Sequence, residues 1–255
     1  MADLPLRGSI DWESTRQTLL RIQELNPAFT TENCLIGGSA AWFYRTLLDK
    51  ENDPDFPPVQ FTEEENAVWY SKDVDFIGTK REDYPDELQT QPEGDPPRFY
   101  IDGVWVDTPD EGLFITRNQA LKTALEIENP QTGSLYKVAS PILLYREKKA
   151  LLQKAKGVGA EQRPQDTLHL KTFRRASRLI ISNLAETENP NQREATLLFK
   201  LLKETQEIAP EIFEDKIVKR LQDQLKRLQA NPRTKAVYHL LKNQVLKSDD
   251  PPEPN

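Results

Sequence analysis

Apolar positions recur along the first half of the chain at two different periods. Trp12, Leu19, Leu20, Ile22 and Leu25 fall at spacings that a helix collects on one side, and Asn26-Pro27 stops the run, which predicts a first helix from Asp11. The apolar run Cys34-Leu35-Ile36, then Gly37-Gly38-Ser39, then AAWFYRTLL predicts a strand, a turn and a buried helix with Trp42, Phe43 and Tyr44 in the core. In SKDVDFIG the alternation puts Asp73 and Asp75 on one face of a strand and Val74 and Phe76 on the other. RFYIDGVWVD reads as a β-hairpin, because Asp102-Gly103 between β-formers suits a two-residue turn with positive φ, and Asp107 ends its second strand. LFIT at 113–116 is expected as another strand, NQALKTALEI as a helix and SLYKVAS as a last strand.

From Pro141 onward the period is helical. ILLYREKKALLQKA opens the series, and helices are expected at roughly 165–185, 191–208, 210–229 and 232–247, with Pro164, Pro190, Pro210 and Pro232 near their starts. Two polar, Pro-rich stretches interrupt the first half. Residues 51–66 read as a surface insertion leading into a short helix near Glu63 to Tyr70, with Thr62 and Glu65 as its capping box, and a second loop covers about 82–97. The closing DDPPEPN has nothing to bury and is expected to be disordered. The expected fold class is α/β: a mixed sheet flanked by helices over 1–139, a helical domain over 140–248 and a tail over 249–255.

Composition narrows the possibilities. At 255 residues, 37% of them apolar and 29% charged, the chain is polar yet long enough to bury a core. No stretch approaches the roughly 18 apolar residues of a membrane helix, and MADLPLRGSIDW lacks a signal-peptide pattern, so a cytoplasmic protein with no membrane partner is expected. Cys34 is the only cysteine, which excludes an internal disulfide and a Cys-rich zinc site. With only His169 and His239 as imidazoles, a bound metal is expected to be a hard cation held by carboxylates.

The net charge of −7 is unevenly divided. Residues 1–136 carry 11 Lys/Arg against 26 Asp/Glu, a net of −15, and residues 137–255 carry 23 against 15, a net of +8. An acidic half able to hold a cation, joined to a basic half, suits a substrate with phosphates; solvated helix faces produce the same excess. Arg174, Arg175 and Arg178, followed by basic residues from Lys200 to Lys235, offer RNA contacts on the first view and balanced surface charge on the second.

Two carboxylates one residue apart on a strand project side by side, so Asp73 and Asp75 can share one or two divalent cations. Such cations bind triphosphate oxygens and activate a hydroxyl. A solvent-facing strand edge is the ordinary alternative for an Asp-x-Asp pair. Gly37-Gly38-Ser39 adds a phosphate-attracting helix start, where glycine permits close approach and Ser39 is either a hydroxyl donor or an N-cap.

CLIGGSAAWFYRTL followed by KDVDFIG resembles the nucleotidyltransferase superfamily of the DNA polymerase beta type, which carries Gly-Gly or Gly-Ser at a helix start and Asp-x-Asp or Asp-x-Glu on the next strand. The stretch VASPILLYREKKALLQKAKGVGAEQRPQDTLHLKTF is similar to the abortive-infection type nucleotidyltransferase toxins and their relatives, and the resemblance covers about residues 33–180. It implies a transfer of a nucleotide from a nucleoside triphosphate to a hydroxyl of an RNA, protein or small-molecule acceptor. It also implies that Gly37, Gly38 and Ser39 hold the triphosphate, Asp73 and Asp75 one or two Mg2+ ions, and Asp107 a metal or the hydroxyl proton. Lys148, in competition with Lys149, would meet nucleotide phosphates, and Asp166 would sit at the pocket rim or cap a helix. The gap from Ser39 to Asp73 is longer than in compact members, and His169 stands where relatives often have Asp, read here as a satisfied helix-face residue. Two further expectations share the fold: a toxin checked by an antitoxin partner, and a catalytically silent nucleotide-binding or interaction module.

Overall fold

A computed structural model of the chain describes residues 12–50, 62–63, 65, 71, 73–77, 98–109, 115–128, 135–159, 163–187, 190–212, 232 and 235. The chain divides into two compact units, Met1–Phe173 and Arg174–Asn255. The junction expected at 139/140 lies inside the first unit, because the helix that carries Lys148 and the start of the next belong with the sheet.

The first unit is α/β. Helices α1 (Trp12–Leu25) and α2 (Phe29–Glu32) lead into β1 (Cys34–Ile36) and α3 (Gly37–Lys50), followed by β2 (Val74–Ile77), β3 (Arg98–Ile101) and β4 (Val104–Asp107). Then come α4 (Arg117–Lys122), β5 (Leu125–Glu128), β6 (Leu135–Val138), α5 (Pro141–Gly157) and the first part of α6 (Pro164–Glu186). Among the described residues the strands form one mixed sheet of six in the order β3-β4-β2-β1-β6-β5. β2 runs parallel to β4 and β1 parallel to β6, whereas the β1–β2, β3–β4 and β5–β6 pairs are antiparallel.

Register assigns the two faces of this sheet. Leu35 lies opposite Phe76, Val74 opposite Val106, and Val106 opposite Phe99, so these apolar residues share one face. Phe29 of α2 packs edge-on against Phe76 at 5.2 Å and Phe99 at 5.8 Å, and Leu19 and Ile22 of α1 are buried. Aromatic pairs of this kind each add roughly 0.5–1.5 kcal/mol beyond area burial. The same register puts Asp75, Asp107 and Arg98 on the opposite face, since Asp75 pairs with Asp107 and Asp107 with Arg98. Tyr44 of α3 is fully buried as expected, its hydroxyl donating to the Ala139 carbonyl at 2.7 Å and its ring edge-on to Phe173 at 6.0 Å.

Local chemistry explains most element boundaries. Asp102 and Gly103 take φ of 47° and 90°, the double positive turn expected of the β3–β4 hairpin. Ser140 caps α5 by accepting from Ile142 N–H, with Pro141 at the first helical position. Thr62 and Glu65 form the expected capping box, each side chain accepting from the other's backbone N–H at 3.1 and 3.2 Å.

Residues 115–128 depart from expectation. Ile115 and Thr116 are not in a strand; Thr116 is the N-cap of α4, in a capping box with Gln119. The helix read over NQALKTALEI stops at Lys122, and Leu125–Glu128 pairs with β6 as β5. Ladder hydrogen bonds to β6 outweigh a modest helix propensity here, because a short segment of this kind follows its tertiary neighbours. Residues 51–61, 64 and 66–70 of the expected insertion and short helix, the loop over 82–97, residues 113–114 and the tail over 249–255 lie outside the described residues.

The second unit continues α6 and adds α7 (Gln192–Ile208) and a short 3-10 turn, Pro210–Ile212. Asn191 and Glu194 box the start of α7. Arg174 and Arg178 donate to the carbonyls of Glu211 and Ile212, which puts two of the expected RNA-contact arginines on backbone acceptors of their own unit. Of the helices expected over 210–229 and 232–247, only residues 210–212, 232 and 235 are described, and most of their basic residues lie outside the described residues. Among the described residues, no helix is long and apolar enough to cross a membrane.

Candidate active site

The site begins where β1 hands over to α3. The helix starts at Gly37 itself rather than after a separate turn, and Gly37 has φ of +66°. A Cβ there would lie 2.1 Å from Asp75 Oδ2, so the carboxylate of β2 occupies the space that any other residue would fill. A Cβ on Gly38 would lie 2.6 Å from Ser71 Oγ and 3.4 Å from His169 Cε1. The two glycines thus let the first turn of α3 sit against both the β2 carboxylate and α6.

Asp73 precedes β2 and is fixed through its backbone. Its carbonyl accepts from Ser71 Oγ at 2.8 Å and from Ser39 Oγ at 3.1 Å. Ser39 is fully buried, with Thr15 Oγ1 3.5 Å from its hydroxyl, and it does not line the cleft. Expected as a triphosphate donor, Ser39 instead holds the segment that carries Asp73. Asp107, at the end of β4, is 6% exposed, and its Oδ1 lies 4.0 Å from Arg98 Nε on the neighbouring strand.

One carboxylate oxygen from each of Asp73, Asp75 and Asp107 lies within 4.8 Å of the others. Like charges this close repel unless a cation is shared. Three hard oxygen donors suit Mg2+ or Ca2+, and the span approaches the distance of about 4.2 Å across an octahedral ion with bonds near 2.1 Å.

Beside the carboxylates is a cleft of about 130 Å³. It is lined by Gly37, Gly38, Ser71, Asp73 and Asp75 from the sheet side and by Lys148, Arg163, Gln165, Asp166 and His169 from the two following helical segments. Lys148 Nζ donates to Asp166 Oδ1 at 2.7 Å, and Arg163 donates to both oxygens of the same carboxylate, Nε to Oδ2 at 2.9 Å and a terminal nitrogen to Oδ1 at 3.1 Å. Burial pushes the Asp166 carboxyl up, but the Lys148 charge and hydrogen bond, with Arg163, overcome it and hold the group below the ordinary range. His169 is 2% exposed, and burial first, then Lys148, pushes its imidazole down to about 3, so it is neutral.

Helix register decides between the two lysines. Lys148 is buried and lines the cleft, while Lys149 points over the Tyr145 ring at 6.0 Å. Gly37, Gly38, Asp73, Asp75, Lys148 and Asp166 all line the cleft, and Asp107 joins through the carboxylate group. His169 is in the cleft wall rather than on a plain helix face. Ser71, Arg163 and Gln165 also line the cleft, beyond the residues singled out from the sequence. Ser71 stands two residues before Asp73, whose backbone carbonyl it bonds, and Arg163 three before Asp166, a spacing that brings side chains together at a helix start. No protein-family model, curated protein or solved structure matches the chain.

Proposed function

We propose that the chain is a magnesium-dependent nucleotidyltransferase, with a first unit of the nucleotidyltransferase type. The observation that carries this reading is the convergence of Asp73, Asp75 and Asp107 within 4.8 Å, beside the glycines that open the 14-residue helix α3. The first N–H groups of a helix lack intrahelical partners and attract phosphate, so polyphosphate oxygens have donors at Gly37 and Gly38. Lys148 supplies a positive charge in the same cleft.

Asp73, Asp75 and Asp107 would hold the cation. When bound, Mg2+ neutralises phosphate charge and makes a coordinated hydroxyl easier to deprotonate. The acceptor oxygen forms a bond to the α-phosphorus, the bond to the bridging oxygen breaks, and pyrophosphate leaves with its electron pair. Asp107, buried at a strand end with Arg98 nearby, would take the hydroxyl proton. In this reading the carboxylates serve the reacting phosphorus and Lys148 the charge of the remaining phosphates.

The test is transfer of label from α-labelled nucleoside triphosphates to RNA and protein fractions with Mg2+ present. The wild type is expected to label an acceptor, and the Asp73→Asn/Asp75→Asn double variant to lose at least about 100-fold of that rate. Labelling unchanged in the double variant would refute the reading, and triphosphate binding without transfer to any acceptor would reduce it to a binding module.

A further inference from the structure

Asp73 and Asp75 reach the carboxylate group by different means. Asp75 lies within β2, paired with Ile36 of β1 on one side and Asp107 of β4 on the other, so the sheet ladder fixes it. Asp73 precedes β2, and its carbonyl oxygen accepts from two side chains, Ser71 Oγ at 2.8 Å and Ser39 Oγ at 3.1 Å. Ser39 and Thr15 are fully buried, and Ser71 is 7% exposed. A serine hydroxyl has a single proton to donate. In both serines that proton goes to the Asp73 carbonyl, and Thr15 Oγ1 donates in turn to Ser39 Oγ at 3.5 Å. One backbone oxygen thus ties the segment before β2 to the first turn of α3 and, through Ser39, to the first turn of α1.

We propose that Ser39 and Ser71 are positioning residues for the cation and that, by fixing the main chain of Asp73, they tilt the site toward Mg2+ and away from a larger ion. With the peptide group after Asp73 held by two hydroxyls and by β2, the carboxylate moves chiefly through its own side-chain torsions. Mg2+ demands a near-ideal octahedron with bonds of about 2.0–2.1 Å, whereas Ca2+ accepts roughly six to eight oxygens at about 2.3–2.6 Å in flexible arrangements. A ligand held with little freedom therefore matters more to Mg2+ than to Ca2+. Partners that orient a metal ligand from outside are worth roughly 10–100-fold in metal affinity. This role is distinct from phosphate donation, because Ser39 is fully buried, does not line the cleft and gives its proton to Asp73. The inference rests on the proposed function for one point, that Asp73, Asp75 and Asp107 hold a cation, and it deepens that reading by naming the residues that set which ion they hold.

Calorimetric titration of the nucleotide-free full chain with Mg2+ alone and with Ca2+ alone tests this. Ser39→Ala and Ser71→Ala are each expected to weaken Mg2+ binding by about tenfold and Ca2+ binding by about threefold or less, so the ratio of the two affinities shifts toward Ca2+ by about threefold or more. Thr205→Ala is the control. It removes a fully buried hydroxyl that bonds the Leu201 carbonyl within α7, and it is expected to lower the unfolding midpoint without moving the ratio. An unchanged ratio in either serine variant, the result a phosphate donor would give, overturns the inference. So does an equal shift in Thr205→Ala, or a wild type that binds neither ion. Should Ser39→Ala fail to fold by circular dichroism, Ser71→Ala in the cleft wall decides alone. A shifted ratio in a protein that transfers no nucleotide sinks the proposed reaction and leaves the positioning role standing; transfer with an unchanged ratio does the reverse.

Discussion

Replacing Gly37 by alanine attacks the site at the position where backbone and chemistry meet. The residue has φ of +66°, a conformation that costs an L side chain roughly 1–2 kcal/mol. The larger effect is steric. The new methyl would lie 2.1 Å from Asp75 Oδ2 and 2.9 Å from its Cγ. Restoring an ordinary separation of about 3.4 Å forces the carboxylate to retreat by about 1.3 Å, out of a group whose oxygens lie within 4.8 Å of one another. Misplacement on the order of 1 Å can cost about 100-fold in rate. Gly37→Ala is therefore expected to lower global stability by about 1–2 kcal/mol in urea unfolding and to abolish most of the Mg2+-induced rise in Tm expected of the wild type. The assay is a thermal melt at a series of Mg2+ concentrations, with Asp75→Asn alongside. A Gly37→Ala protein that shows the wild-type Mg2+ dependence would refute the idea that this glycine exists to admit Asp75.

Gly38→Ala meets Ser71 Oγ at 2.6 Å and Ser71 Cβ at 2.9 Å, so Ser71→Gly is expected to rescue part of its loss of stability; additive losses in the double-mutant cycle would count against the clash. Lys148→Ala leaves Asp166 with one cation in a buried setting and is expected to cost about 1–3 kcal/mol in chemical denaturation, against less than about 0.5 kcal/mol for Lys149→Ala. His169 has its pKa lowered from 6.5 to about 3, so below pH 6.5 the unfolded chain binds a proton that the folded chain refuses. Its contribution is therefore full above that pH and falls by up to about 1.4 kcal/mol per pH unit between 6.5 and 3. His169→Gln should flatten the difference in unfolding free energy across pH 4–6, and an identical pH profile for wild type and variant would contradict the neutral, buried imidazole.

The sequence by itself determined features that depend on neighbours in the chain. Hydrophobic period placed α1, α3, β2, α5, α6 and α7; Asp102-Gly103 specified the hairpin because two positive φ angles need such residues; Thr62 with Glu65 specified a helix start. The glycine pair and the Asp73, Asp75 pair were legible for the same reason, each being a local pattern with a local physical meaning. Tertiary structure decided what depends on residues far apart. Asp107 meets Asp75 only because β4 pairs with β2 in parallel, across a separation of 32 positions. Leu125–Glu128 becomes a strand because β6 is there to pair with it, and Lys148 rather than Lys149 faces the cleft because the rotation of α5 is fixed by what it packs against. Ser39 shows the limit most clearly: its place in the motif suggests a ligand donor, and the backbone carbonyl of Asp73, 34 residues away, claims its hydroxyl instead.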